Sequence, residues 1–184
     1  MNTYAEDYLN FTHSVLSQVS AAALESVVDV LERVRSGRGR VFCIGVGGSA
    51  ATASHLVNDL RKICEMDAYA PTDNVAELTA RTNDDGWDRV FVDYLTVSGL
   101  NDRDAIFALS VGGGSTSASE NICHAIQLAL DREAYVLGIV GSNGGAIAQH
   151  ANPHIMIPTY STPHVEGITS VLCHLIISDL YWRP

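Results

Sequence analysis

Four short apolar runs constrain this chain more than any other feature: "RVFCIGV" (residues 40–46), "AIFALSV" (105–111), "AYVLGIVG" (134–141) and "HIMIPT" (154–159). Each run is continuous in apolar character and bounded by turn residues. Strands of that kind are buried on both faces. Stretches with helical spacing separate them, near 49–66, 87–97, 116–131 and 144–150, and a last one covers about 163–181. The alternation predicts an α/β fold: a parallel β-sheet flanked by helices on both faces. Residues 5 to about 36 carry Tyr8, Phe11, Val15, Val19, Ala22, Leu24, Val28, Leu31 and Val34 at helical spacing. That predicts a long N-terminal helix, or two, ending at "SGRGR". There are 184 residues, with no repeat and no low-complexity linker. We read a single domain with a helical extension over residues 1–36.

Charge narrows the function. The net charge of −10 argues against general nucleic-acid binding, which favours a basic surface. It does not argue against an anionic substrate, because a local helix dipole can outweigh distant carboxylates. No run of 18 apolar residues occurs, so no membrane span is expected. The start, "MNTYAEDYLNF", is acidic and unlike a signal peptide. Cys43, Cys64, Cys123 and Cys173 form no CxxC pair, and Cys43 and Cys173 lie in apolar segments. Reduced core thiols and a cytoplasmic location are the expectation.

Ligands of such sheets bind beyond the carboxyl ends of the strands. Two of these ends are unusual. The first run leads into "GVGGS", with Gly47, Gly48 and Ser49. The second leads into "SVGGGSTSAS", residues 110–119, directly before a helix. Glycines and hydroxyls at a helix start suit an anion, through free N–H groups, the dipole and serine donors. The amides of residues 112–115 and the hydroxyls of Ser110 and Ser115 are the expected holders; a merely flexible turn is the alternative. The spacing of a GxGxxG dinucleotide fingerprint is absent.

A polar constellation accompanies these turns. His55 and Asp59 stand four residues apart on one helix face. Glu166 and His174 stand eight apart on the last helix. Two such pairs from two helices can make a four-coordinate N/O site for zinc or another divalent ion. Each pair also has a plain alternative: a surface or capping pair for His55 and Asp59, and a core histidine for His174, which stands among Leu172, Cys173, Leu175 and Ile176. His164 either caps the last helix or lines its mouth. Asn83 and Asp84 read as a turn before a helix from Trp87, or as groups reaching a polyol. His13, His124, His150 and His154 are assigned no role.

The segments "GVGGSAATASH", "TARTNDDGWDRVF", "LSVGGGS", "VGSNGGAIAQHA" and "PHVEGITSVLCHLI" stand in the order seen in the sugar-isomerase (SIS) domain family. Within it the chain most resembles the phosphoheptose isomerases, over nearly its whole length. The resemblance implies one SIS domain over residues 1–184, a flavodoxin-like three-layer sandwich. It implies a homotetramer with active sites between subunits, assembled through the N-terminal extension, and no nucleic-acid or membrane partner. It implies interconversion of sedoheptulose 7-phosphate and a heptose 7-phosphate. The family's metal positions fall on His55, Asp59, Glu166 and His174, where its usual residues are His, Glu, Gln and His. Its phosphate loop, usually Ser-Thr-Ser-Gly-Asn-Ser, falls on Ser110, Val111, Gly112, Gly113, Gly114 and Ser115. Its glycine turn usually has Asn where Val46 stands. Substrate contacts are therefore expected from Gly47, Gly48, Ser49, Asn83, Asp84, Ser110, Val111, Gly112, Ser115 and Glu166. Catalytic groups are expected among Asp59, Glu166 and His174.

Aldose–ketose isomerisation needs a base for a carbon-bound proton, an acid for the carbonyl oxygen and a donor or cation for the enediolate. A carboxylate facing a histidine supplies the proton roles, with Glu166 or His174 favoured over the shorter Asp59 as base. A divalent ion can polarise the oxygens. Two other readings stand beside this one. One is a non-catalytic sugar-phosphate sensor or tetrameric adaptor. The other is an isomerase or epimerase of a different phosphorylated sugar.

Overall fold

The structure is a computed structural model and describes residues 2–183. Five parallel strands form one sheet: β1 (Arg40–Gly45), β2 (Asp67–Tyr69), β3 (Ala105–Ser110), β4 (Tyr135–Gly141) and β5 (His154–Ile157). Their order is β2-β1-β3-β4-β5, the doubly wound flavodoxin-like arrangement. The register pairs Cys43 with Phe107, Phe107 with Leu137 and Ile139 with Ile155. Alternate side chains on each strand feed two separate cores. Val41, Cys43, Phe107, Leu109, Leu137 and Ile139 point to one face, under α2 (Ala21–Ser36), α3 (Gly48–Lys62) and α8 (Thr162–Trp182). Phe42, Ile44, Ile106, Ala108, Val136 and Val140 point to the other, under α5 (Val90–Val97), α6 (Glu120–Asp131) and α7 (Gly145–His150). Covering both faces explains why these strands read as continuous apolar runs.

The N-terminal extension is two helices, α1 (Tyr4–Leu16) and α2, which meet at a 65° bend. Thr3 and Glu6 close a capping box on α1. Ser20 starts α2 by accepting from the Ala23 amide at 3.2 Å. Two elements lie outside the sequence expectation. β2 is three residues long and buries only Ala68, so it offers no apolar run. Helix α4 (Val75–Asp84) buries none of its residues and has no apolar stripe to reveal it. No single helix among the described residues is long and apolar enough to cross a membrane.

One ion pair ties the amino ends of β1 and β3 together. Asp104, 1% exposed, accepts from the Arg40 amide at 2.9 Å and from Arg40 Nη2 at 2.6 Å. It also accepts from the Asn101 amide at 3.1 Å. Arg40 reaches the Ser98 and Gly99 carbonyls at 2.8 and 3.0 Å. Asp104→Ala strands the guanidinium and two amides at once. Water still reaches Arg40, so we expect a loss at the low end for a broken buried pair, about 3 kcal/mol, read as a lower urea midpoint at unchanged slope.

Candidate active site

In this strand order the connections leave β1 and β3 towards opposite edges of the sheet, which opens a crevice beyond their carboxyl ends. The glycine turn after β1 forms one wall. Gly47 starts α3 at φ 61°, ψ −125°, a conformation that glycine alone adopts readily. A Cβ on Gly48 would lie 2.6–2.8 Å from all three carboxyl atoms of Glu166. The Glu166 carboxylate therefore lies flat against Gly48, and only glycine admits that approach.

Opposite stands the Ser/Gly loop after β3, with Asn143 and Gly145 from the turn after β4. Together they enclose about 460 Å³, lined among others by Ser49, Ser110, Ser115, Ser119, Asn143 and Glu166. Val46, Val111, Gly112 and Gly114 complete the walls. The two glycine turns are pressed backbone to backbone. A Cβ on Gly113 would overlap the Gly144 carbonyl. Ala146 and Ile147, at the start of α7, donate their amides to the Gly114 and Gly113 carbonyls at 3.0 Å each.

Those bonds change which groups can hold an anion. The Gly113 amide is engaged by Ser110 Oγ at 3.0 Å, and the Ser115 amide by the Ala118 carbonyl at 2.8 Å. Two of the four amides expected to bind phosphate are thus occupied within the loop. The same bonds leave the Ser110 hydroxyl proton to give, while Ser115 Oγ would have to turn its proton to an anion from Ser117 Oγ at 3.1 Å or the Ala118 carbonyl at 3.5 Å. Ser110 Oγ accepts from Gly113, and Ser115 Oγ accepts from Ala118 at 3.1 Å and Ser117 at 3.3 Å. Ser119 adds a third hydroxyl. It starts α6 at φ 57°, ψ 43° without capping it, so the first turn of that helix stays uncapped beside the cavity.

The His/carboxylate constellation divides. His55, Asp59 and His174 each place a ligand atom within 4.8 Å of the others. His55 Nε2 is 3.4 Å from Asp59 Oδ2, and the two imidazoles lie 5.0 Å apart. Asn58 Nδ2 holds the other Asp59 oxygen at 2.9 Å. A second cavity of about 220 Å³ opens at this cluster, lined also by Thr52, Ser170 and Cys173. Burial, reinforced by the Asp59 carboxylate, pushes the Cys173 thiol up to about 12 and keeps it neutral. Glu166 lies outside the cluster, although the sequence grouped it with these residues. Eight residues of helix separate it from His174 by about 12 Å of rise. His174 is exposed rather than a core histidine, because Leu172, Cys173 and Ile176 turn inward past it.

Asn83 and Asp84 are exposed at the end of α4 and bond to each other at 2.7 Å, apart from both cavities. The turn expected there is the last turn of that helix. Gly47 sets the α3 start without lining either cavity. His164 neither caps α8 through its own backbone nor lines the cavity; its Nδ1 lies 2.7 Å from Ser161 Oγ. Ser119 and Asn143 were missed by sequence reasoning. A serine directly before Glu120 is a helix-start signal, and "GSNGG" is a third glycine turn at a strand's carboxyl end.

No protein-family model matches the chain. Known proteins do. Phosphoheptose isomerase of Rhodospirillum rubrum is 31% identical over 166 residues, covering 88% of this chain and 85% of that protein. Phosphoheptose isomerase of a Synechocystis species is 30% identical over 189 residues, covering 100% and 94%. Among solved structures, phosphoheptose isomerase from Francisella tularensis superposes with a TM-score of 0.87 at 22% identity, covering 97% of each chain. That from Neisseria gonorrhoeae gives 0.85 at 22% identity, covering 96% of each. The structural likeness establishes the fold; near-complete coverage at 30–31% identity establishes more, and this chain belongs to the phosphoheptose isomerase family.

Proposed function

We propose that the protein interconverts sedoheptulose 7-phosphate and D-glycero-D-manno-heptose 7-phosphate, with Glu166 as the group that moves the proton. The observation that carries this is the placement of Glu166. Its carboxylate shares one cavity with the serine hydroxyls of the Ser/Gly loop. The loop holds the phosphate and fixes the sugar's far end, so binding energy positions the reacting carbons. The carbon chain runs from the loop along the α3–α8 seam and brings C1 and C2 against Glu166, on the side that leads to Thr52 and the His55–Asp59–His174 cluster. Glu166 takes a proton from C1 of the ketose and returns it to C2, while the hydroxyl proton passes from O1 to O2.

Two imidazole nitrogens and one carboxylate oxygen within 4.8 Å of one another fit a divalent ion, zinc among them, and leave a coordination position open. When bound, such an ion supplies positive charge for the oxygens of the enediolate. His55 and His174 hold it from α3 and α8, and Asn58 fixes the Asp59 carboxylate. Exposed apolar residues on the same helix, Val171 at 52% and Leu175 at 44%, flank His174. Together with Tyr4, Leu9 and Phe11 of α1 they support a homotetramer whose subunits meet around the sites. Four free cysteines, three of them buried, support a cytoplasmic location.

The test is turnover of sedoheptulose 7-phosphate by the metal-loaded protein, followed as aldose formation. Tight binding of the sugar phosphate without turnover would replace the isomerase by a sensor. The hydroxyl-based phosphate site has its own check. Ser110→Ala and Ser115→Ala each remove one charge-assisted bond, ~1.5–3 kcal/mol, so KM should rise roughly ten- to hundredfold. An unchanged KM in both places the anion elsewhere.

A further inference from the structure

The first turn of α8 is built in an unusual way. Ser161 occupies the N-cap, yet its hydroxyl caps no amide. One usual target of a capping serine, the second helical residue, is Pro163 and has no N–H. The hydroxyl instead bonds the ring of His164 at 2.7 Å. His164 is 9% exposed, and its Nε2 is buried with no partner among the described residues. Beyond the Ser161 bond that imidazole is held by packing, and α1 supplies two aromatic rings of it. The Tyr8 ring stacks on His164 with centroids 4.1 Å apart, and Phe11 meets it edge-on at 4.8 Å.

His164 and Glu166 are two residues apart, so their side chains leave α8 roughly 200° apart. The face of α8 that α1 grips is thus opposite the face that lays Glu166 on Gly48. We infer that the Tyr8–His164 stack, backed by Phe11, is a positioning clamp that sets the first turn of α8 and thereby places Glu166, which is the proton-moving group on the isomerase reading above. Tyr8 and His164 touch no reacting atom. They act through the helix turn between them and the carboxylate. The N-terminal helix then serves the chemistry of its own subunit, besides any role in assembly.

Tyr8→Ala and Tyr8→Phe in the full-length, metal-loaded protein test the clamp. A misplacement of about 1 Å at a reacting group costs on the order of 10²-fold in rate, so Tyr8→Ala should lower kcat by roughly ten- to hundredfold. KM should move little, because the Ser/Gly loop is untouched. Tyr8→Phe keeps the ring and should restore kcat. Metal affinity should stay constant in both, because His174 lies eight residues beyond Glu166. In a Glu166→Gln background the Tyr8→Ala loss should vanish, since a residue acting through Glu166 has nothing left to position. A purely structural helix would give equal losses in both backgrounds and would overturn the clamp.

Hydrogen exchange at residues 165–168 reads the clamp without any substrate. Faster exchange in Tyr8→Ala, reversed in Tyr8→Phe, is expected. Unchanged exchange overturns the clamp whatever the protein turns over. Faster exchange in a protein that turns over nothing keeps the clamp and overturns the isomerase reading instead.

Discussion

Glu166→Gln lowers kcat by roughly 10²–10⁴-fold, the usual contribution of a positioned proton-transfer group. The exchange is nearly isosteric. The amide still fits over Gly48, where a Cβ would meet the present carboxyl atoms at 2.6–2.8 Å, so the turn should keep its shape. What disappears is the ability to accept a proton from carbon. KM should stay equal or fall, because the proposed phosphate holders, Ser110, Ser115 and Ser119 of the cavity wall, are untouched and a negative charge leaves the cavity. The substitution carries more weight here than a routine knockout. Glutamine is the usual residue of the resembling family at this position, so the variant restores that residue and asks whether the carboxylate at 166 moves the proton. Steady-state kinetics with a melting curve on each protein decide it. Activity retained within a few-fold at equal stability would assign the proton to Asp59 or His174.

The sheet was legible in the sequence because its long strands are buried on both faces: a continuous apolar run of about four to eight residues, too short for a helix and bounded by turn residues, fits a doubly covered strand. β2 and α4 were illegible for the opposite reason. Asp67 and Tyr69 flank a single buried alanine, and α4 fully buries no residue and packs only Leu78 partly against the core, so burial left little pattern in either. The metal cluster shows the same limit at finer scale. Four residues along a helix bring His55 and Asp59 together in both angle and height. Eight residues bring Glu166 and His174 back to roughly 80° of each other but about 12 Å apart. Angular pattern and resemblance together joined four residues that the fold divides between two cavities. The Ser/Gly loop failed differently. Its composition announced free amides, while the bonds that engage Gly113 and Ser115 come from Ser110 and Ala118 through a turn geometry that composition does not encode. Asn83 and Asp84 were placed near the sugar by resemblance, and the unrecognised α4 ends on them, exposed and apart from both cavities of this subunit.

His174→Ala strips the bound metal, and Glu166→Gln does not. In wild type three donors lie within 4.8 Å of one another. Removing His174 leaves an i,i+4 pair on α3, with His55 more than half exposed. Two ligands on one exposed helix face cannot close a tetrahedron, and even changes outside the coordination shell cost ~10–100-fold in affinity. Loss of a ligand itself should exceed that, so the variant should emerge from gel filtration without zinc while wild type retains it. Glu166→Gln should keep the wild-type metal content while losing turnover, which separates a ligand defect from a proton-transfer defect in two proteins one substitution apart. Elemental analysis by mass spectrometry on wild type and both variants is the measurement. A wild type that binds no divalent ion and stays active after chelation would return His55, Asp59 and His174 to plain acid–base work. Equal metal loss in both variants would make Glu166 the fourth ligand.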